Sequence, residues 1–301
     1  MGTSWTVKVN AFERYSHALA EALQAEFDLV DGWMSNWKDD SDVSRFNEAS
    51  PGECVTVSPS TQKVVLTALK LHELSDGAFD VSASPLIQIW GFGTTFRAAE
   101  QPTEEQINAA MAQLGTTGLR IIEDTLCQGD RPIQLNLSAL AKGYAVDRAA
   151  ELLSLRGFEN YLVEVGGELR ASGQNGRGTI WTIAIEKPSD VPGIASVQSA
   201  LPLANQAVAT SGDYRNFYVE ADQRFSHIID PRNGYPVKHD LASVTVLSES
   251  SMIADAWATA LLVLGPKRGM EIAEARQLQV YMILRTEQGF QILTSSTWPV
   301  G

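Results

Sequence analysis

Asp255 and Thr259 stand four residues apart in Ala254-Asp-Ala-Trp-Ala-Thr259, a spacing that sends both side chains from one face of a helix. A carboxylate and a hydroxyl so placed suit a hard cation such as Mg²⁺, which takes a few protein oxygens and completes its shell with water or phosphate oxygens. The competing reading is an Asp that complements the N-terminal dipole of a helix whose apolar face is core. A second candidate is Asn136-Leu-Ser-Ala-Leu-Ala-Lys142-Gly143-Tyr144, where a polar residue runs into a helix start. Free N–H groups and the dipole attract phosphate there, and Lys142 would add a formal charge. The Gly-rich run of a Walker A loop is missing, and a capped amphipathic helix with one surface Lys explains the segment as well. The third is Ser226-His227-Ile-Ile229-Asp230-Pro231-Arg-Asn-Gly234. A His at a strand end before a turn can act as a general base near neutral pH; the alternative is a structural His beside ordinary turn chemistry.

These residues need elements to hold them. The pattern predicts a strand at Trp5–Val9 and a helix over Arg14–Val30, with Leu19, Leu23 and Phe27 at helical spacing. Ser58-Pro59 opens a second helix that Asp76-Gly77 closes. Thr103 and Gln106 form a capping box for a helix near Glu104–Gln113. Ser138 caps Ala139–Arg156, with Gly157 just beyond its end. Short strands follow at Tyr161–Val165, Trp181–Glu186, Gln206–Thr210, Phe217–Glu220, Phe225–Ile229 and Ser243–Leu247. Glu164-Val165-Gly166-Gly167-Glu168 interrupts two strand-like runs. Helices near Ser251–Leu264 and Lys267–Arg276 precede a hairpin of Tyr281–Arg285 and Phe290–Thr294. Trp33 and Trp37, four apart, read as core, as does Met34. Strands and helices without strict βαβ alternation predict an α+β fold with mixed sheets and flanking helices.

The chain has 301 residues and a net charge of −13. At roughly 100–200 residues per domain this is one domain over 1–301, or two intimate lobes. The acidic balance argues against nucleic-acid binding and against a polybasic membrane footing. Cys54 and Cys127 permit one internal disulfide and are too few for a cysteine-built metal site.

Taken in order, Gly-Ala-Phe-Asp, Pro-Leu-Ile-Gln-Ile-Trp-Gly-Phe-Gly, Leu-Ser-Ala-Leu-Ala-Lys-Gly-Tyr-Ala-Val-Asp, Val-Gly-Gly-Glu, Ser-Gly-Asp-Tyr-Arg-Asn, His-Ile-Ile-Asp-Pro and Ala-Asp-Ala-Trp-Ala-Thr form a specific series. With Met-Gly-Thr at the start, it resembles the ApbE family, the FAD:protein FMN transferases, from Met1 to about Leu284. The resemblance implies a T-fold-like architecture, FAD as substrate, and Mg²⁺ or another divalent cation. It implies transfer of FMN to a threonine or serine hydroxyl of a target flavoprotein, with release of AMP. The partner would be a subunit of a redox complex bearing the acceptor threonine. FAD hydrolysis to FMN and AMP, and flavin carriage without turnover, are the alternatives.

By the same resemblance, Met1, Trp37, Ala78, Phe79, Asp80, Asn136, Lys142 and Ile229 match FAD-contacting positions, Trp37 as a stacking ring. Asp255, Thr259 and the main-chain carbonyl of Ala139 match metal positions, and His227 matches the base. Ala258 stands where some members carry a further acidic ligand, which its methyl cannot replace. The resemblance also implies a periplasmic, membrane-anchored lipoprotein whose leader is absent from this chain, or a cytoplasmic protein if Met1 is the native start.

Overall fold

Helices and strands follow one another as β1 (Trp5–Val9), α1 (His17–Met34), α2 (Asp42–Glu48), β2 (Cys54–Thr56), α3 (Pro59–Leu74), α4 (Ser84–Ile89), α5 (Glu104–Met111), β3 (Arg120–Ile122), β4 (Thr125–Cys127) and α6 (Ser138–Leu155). Then come β5 (Tyr161–Val165), β6 (Glu168–Ser172), β7 (Trp181–Lys187), β8 (Ser196–Leu203), β9 (Ala207–Gly212), β10 (Phe217–Glu220), β11 (Gln223–Ser226), β12 (Ile229–Asp230), β13 (Tyr235–Pro236), β14 (Leu241–Ser248), α7 (Ser251–Ala275), β15 (Gln279–Thr286) and β16 (Gly289–Thr294). The computed structural model describes residues 2–10, 17–93, 101–189, 196–214, 216–220 and 223–299. The fold is α+β, and the chain divides into two compact units, 1–29 with 140–215 and 240–301, and 30–139 with 216–239.

The first unit is built on a seven-stranded sheet, β1-β5-β6-β9-β14-β15-β16, whose neighbours all pair antiparallel. Side chains alternate between the faces of a strand, so each face takes every second residue. Leu162, Val208 and Ile283 face the β7–β8 hairpin and pack with its Trp181, Leu201 and Leu203. Alternation then turns Glu168, Arg170 and Ser211 to the opposite face, where they meet residues of α6 and α7. Helix α7 lies along β9 and β14. Its two expected halves join across Gly265, which takes φ 76° ahead of Pro266. Glycine tolerates that angle, and proline cannot continue the ladder, so the helix breaks there.

In the second unit, Leu86, Trp90, Ile107, Ala110, Phe225 and Ile229 form a core. Ser58 caps α3 and Thr103 closes its capping box on Gln106, both as the sequence predicts. Cys54 and Cys127 face each other across β2 and β4 and are joined in a disulfide.

Four expectations change. Trp37 is 72% exposed rather than core, because α1 ends at Met34 and its period no longer places residue 37. Helix α1 runs four residues past Val30, while Arg14–Ser16 lie outside the described residues. Ser138 is the first residue of α6 rather than its cap, and the Asn136 carboxamide oxygen accepts its N–H at 2.9 Å. The run Phe225–Ile229 is not one strand: β11 stops at Ser226, and the His227 N–H turns to the Asn216 carbonyl.

Replacing both cysteines by serine should lower stability by about 2–4 kcal/mol, because the cross-link restricts the unfolded chain across a long loop. The urea midpoint checks this, and wild type under reductant should match the Cys54→Ser/Cys127→Ser protein.

Candidate active site

Lysine and carboxylates meet in the first unit where α6 crosses α7. Lys142 Nζ lies 3.1 Å from Glu168 Oε1 and 3.4 Å from Asp255 Oδ2. The Gly143 N–H also points at Asp255 Oδ2, at 3.4 Å. One turn along α7, the Thr259 hydroxyl is 3.1 Å from the Ser211 hydroxyl of β9. Asp255 and Glu168 are buried, and Glu168 Oε2 has no hydrogen-bond partner. Burial raises the pKa of Asp255, and Lys142 only partly offsets it. Glu168 is pushed up to about 7 by burial and then by the charge of Asp255, against the pull of Lys142. Burial alone would lower the pKa of Lys142, but Asp255 and Glu168 outweigh it and hold the ammonium above its ordinary value.

Local structure forces this meeting. A Cβ on Gly143 would sit 2.4 Å from the Ser251 carbonyl oxygen and 2.7 Å from Met252 Cα, so only glycine lets the helices approach this closely. Asp147, one turn further along α6, grips the start of α7. Its carboxylate accepts from the Ser250 hydroxyl and from the N–H groups of Ser251 and Met252, and also from Arg170 of β6. The free N–H groups of a helix start are thereby satisfied by a charge that suits the dipole. Ala139 lies in the first turn of α6, and Ala258 is buried on α7.

The other candidates lie in the second unit. Asn136 borders a cleft of about 290 Å³ together with Asn36, Asn47, Gln88 and Gln134. Asn36 and Asn47 both donate to the Leu135 carbonyl, and Asn36 Oδ1 is left buried without a partner. Trp37 stands exposed beside Asn36. Ala78, Phe79 and Asp80 occupy the turn after α3, with the first two side chains buried. The Phe79 carbonyl pairs with His72 Nδ1 at 2.9 Å, and Asp80 Oδ1 accepts from the Ser82 N–H at 2.7 Å. Ile229 sends its side chain into the core. His227 Nδ1 is 2.9 Å from the Asn216 carbonyl, which fixes the Nδ1–H tautomer and makes Nε2 the basic nitrogen. Met1 lies outside the described residues. Among the described residues no three His, Cys, Asp or Glu side chains converge as a metal cage.

Sequence reasoning missed Glu168. Its signal was the alternation of Glu168 and Arg170 with Leu169 and Ala171 in a strand covered on both faces. Two charges on a covered face need partners, and they find them in Lys142 and Asp147.

Fold and site together define an α+β protein in which one lysine is shared by two buried carboxyl groups. The sequence matches the ApbE family over residues 1–283. An FAD:protein FMN transferase of Vibrio cholerae is 43% identical over 302 residues, covering 99% of this chain and 89% of that protein. The protein of that name from Escherichia coli is 37% identical, covering 97% of this chain and 84% of its own. The solved flavin transferase ApbE from Vibrio cholerae aligns with a TM-score of 0.89 at 42% identity, over 99% of this chain and 95% of that one. The apo flavinyl transferase ApbE of Pseudomonas stutzeri gives 0.90 at 37% identity, over 99% and 92%. The chain belongs to the ApbE family.

Two outcomes follow from the crossing. Gly143→Ala should cost about 1–3 kcal/mol, as overpacking does, and thermal melting checks it. The folded value of Glu168 lies near 7, above its ordinary 4.5, so between those values the folded state keeps a proton that the unfolded chain has lost. The contribution of this group to stability therefore falls as pH rises through that window and levels out above it. Glu168→Gln should flatten that part of the stability curve in urea titrations. An unchanged slope would contradict the shift.

Proposed function

We propose that this chain is an FAD:protein FMN transferase that moves FMN from FAD to a threonine, or serine, hydroxyl of a target flavoprotein, releasing AMP with the help of a divalent cation. The observation that carries the reading is the buried Asp255, countered by Lys142 and followed one turn later by Thr259. Carboxylate and hydroxyl oxygens fit Mg²⁺, and Glu168 Oε2 stays buried beside them without a hydrogen-bond partner. Asp255 and Thr259 would hold the ion; when bound it would neutralise charge on the phosphoryl oxygens.

The chain's own groups do the rest. Lys142 offers a positive charge to the dinucleotide's diphosphate. The carboxamides around Asn136 can donate and accept, as the edges of flavin and adenine rings require. Trp37 presents an exposed ring for stacking, while Ala78, Phe79, Asp80 and Ile229 would contribute mainly backbone and shape. His227, with Nδ1–H fixed on Asn216, takes the acceptor hydroxyl's proton at Nε2. The hydroxyl oxygen bonds to the FMN phosphorus as the bond from that phosphorus to the AMP oxygen breaks. We place the reaction in the periplasm, with a lipid anchor and an acceptor of the redox-complex type. The Cys54–Cys127 disulfide supports an oxidising compartment. Among the described residues no helix is long and apolar enough to cross a membrane.

Incubation with FAD, Mg²⁺ and an acceptor protein should add the FMN mass to a threonine, read by mass spectrometry; free FMN alone would indicate hydrolysis instead. Asp255→Ala should abolish metal-dependent turnover. His227→Ala should keep FAD bound and slow transfer by about 10²–10⁴-fold, the range for a lost acid–base group. An unchanged rate would remove His227 from the mechanism.

A further inference from the structure

Lys142 is shared by two buried carboxylates. Its Nζ reaches Glu168 Oε1 at 3.1 Å and Asp255 Oδ2 at 3.4 Å, while Glu168 Oε2 has no partner. One ammonium thus serves two buried carboxyl groups, and one of their oxygens is left without a hydrogen-bond partner. The same ammonium is a rival for any cation that binds Asp255. A divalent ion held at about 2.0–2.1 Å from a carboxylate oxygen would bring two positive charges against a third. Lys142 cannot simply withdraw to solvent, because a buried carboxylate stripped of its partner is strongly destabilising.

We propose that Lys142 and Glu168 form a movable counter-charge for the cation site: Lys142 yields Asp255 to the cation, and Glu168, through its second oxygen, retains the lysine beside the dinucleotide's phosphates. Glu168 is then a positioning residue that acts through Lys142. Gly166 takes φ +63°, and a Cβ there would stand 3.2 Å from Lys142 Cδ, against the stem that has to swing. The inference rests on the reading of Asp255 as a cation ligand.

Mn²⁺ binding to the whole protein, followed by electron paramagnetic resonance of the free ion without FAD or acceptor, tests it. Wild type should bind Mn²⁺ and Asp255→Asn should lose it. Lys142→Met should bind more tightly. Glu168→Gln should weaken binding about ten-fold in the protein that keeps Lys142, and by no more than about three-fold in the Lys142→Met background. A penalty that is equal or larger without Lys142 overturns the proposal, because Glu168 would then act on the cation by its own charge or as a ligand. Unchanged affinity in Glu168→Gln overturns it too. Both results leave Asp255 as a ligand, whereas Mn²⁺ retained by Asp255→Asn removes the cation reading and the proposal with it. If Lys142→Met fails to fold, Lys142→Gln serves in the same cycle.

Discussion

A carboxylate taken almost wholly out of water is the constraint around which the first unit is organised. Asp255 sits on the buried face of α7, where an unpaired charge would cost several kcal/mol. Lys142 and the Gly143 N–H meet it from the neighbouring helix. Even so, burial dominates, and the acid is held above its ordinary pKa. Glu168 adds a second buried carboxylate on the same lysine. A site arranged only for stability would not place two acids on one ammonium and leave an oxygen without a partner. The proposed cation site would make use of that arrangement.

The surrounding fold brings these groups together. Asp255 can face Lys142 only if α6 and α7 cross closely, and Gly143 is the residue that permits it. The crossing is locked by Asp147, whose carboxylate serves as a second cap for α7 beside Ser250. Sheet register does the remaining positioning. The pairing of β5 with β6 and of β9 with β14 sets which residues of β6 and β9 face the helices, and so delivers Glu168, Arg170 and Ser211. On the opposite face, the β7–β8 hairpin covers the sheet with apolar side chains. A one-residue slip in β6 would exchange Glu168 for Leu169.

Local signals in the sequence carried much of this, and tertiary ones did not. The i, i+4 spacing of Asp255 and Thr259 is a helical property and is readable without a fold. The caps at Ser58 and Thr103 are equally local. Lys142 was visible as a charge in the first turns of a helix. Its sharing between Asp255 and Glu168 was not, because it depends on residues 26 and 113 positions away. Trp37 misled because a helical period was extended beyond the helix end at Met34. The strands β2, β3 and β4 have three residues each, too few for any alternation to register, so the pairing that joins Cys54 to Cys127 was hidden although the two cysteines were not. His227 was found by type and by its turn, and what tethers it, the Asn216 carbonyl eleven residues earlier, came only with the hairpin.

In the proposed function Asp255 brings a divalent cation to the diphosphate of FAD. Paramagnetic broadening of the two ³¹P resonances of bound FAD by Mn²⁺ measures that juxtaposition directly. Both signals should broaden strongly in the wild-type protein, and the broadening should vanish in Asp255→Asn with FAD still bound. Broadening of equal strength in the two proteins would contradict it.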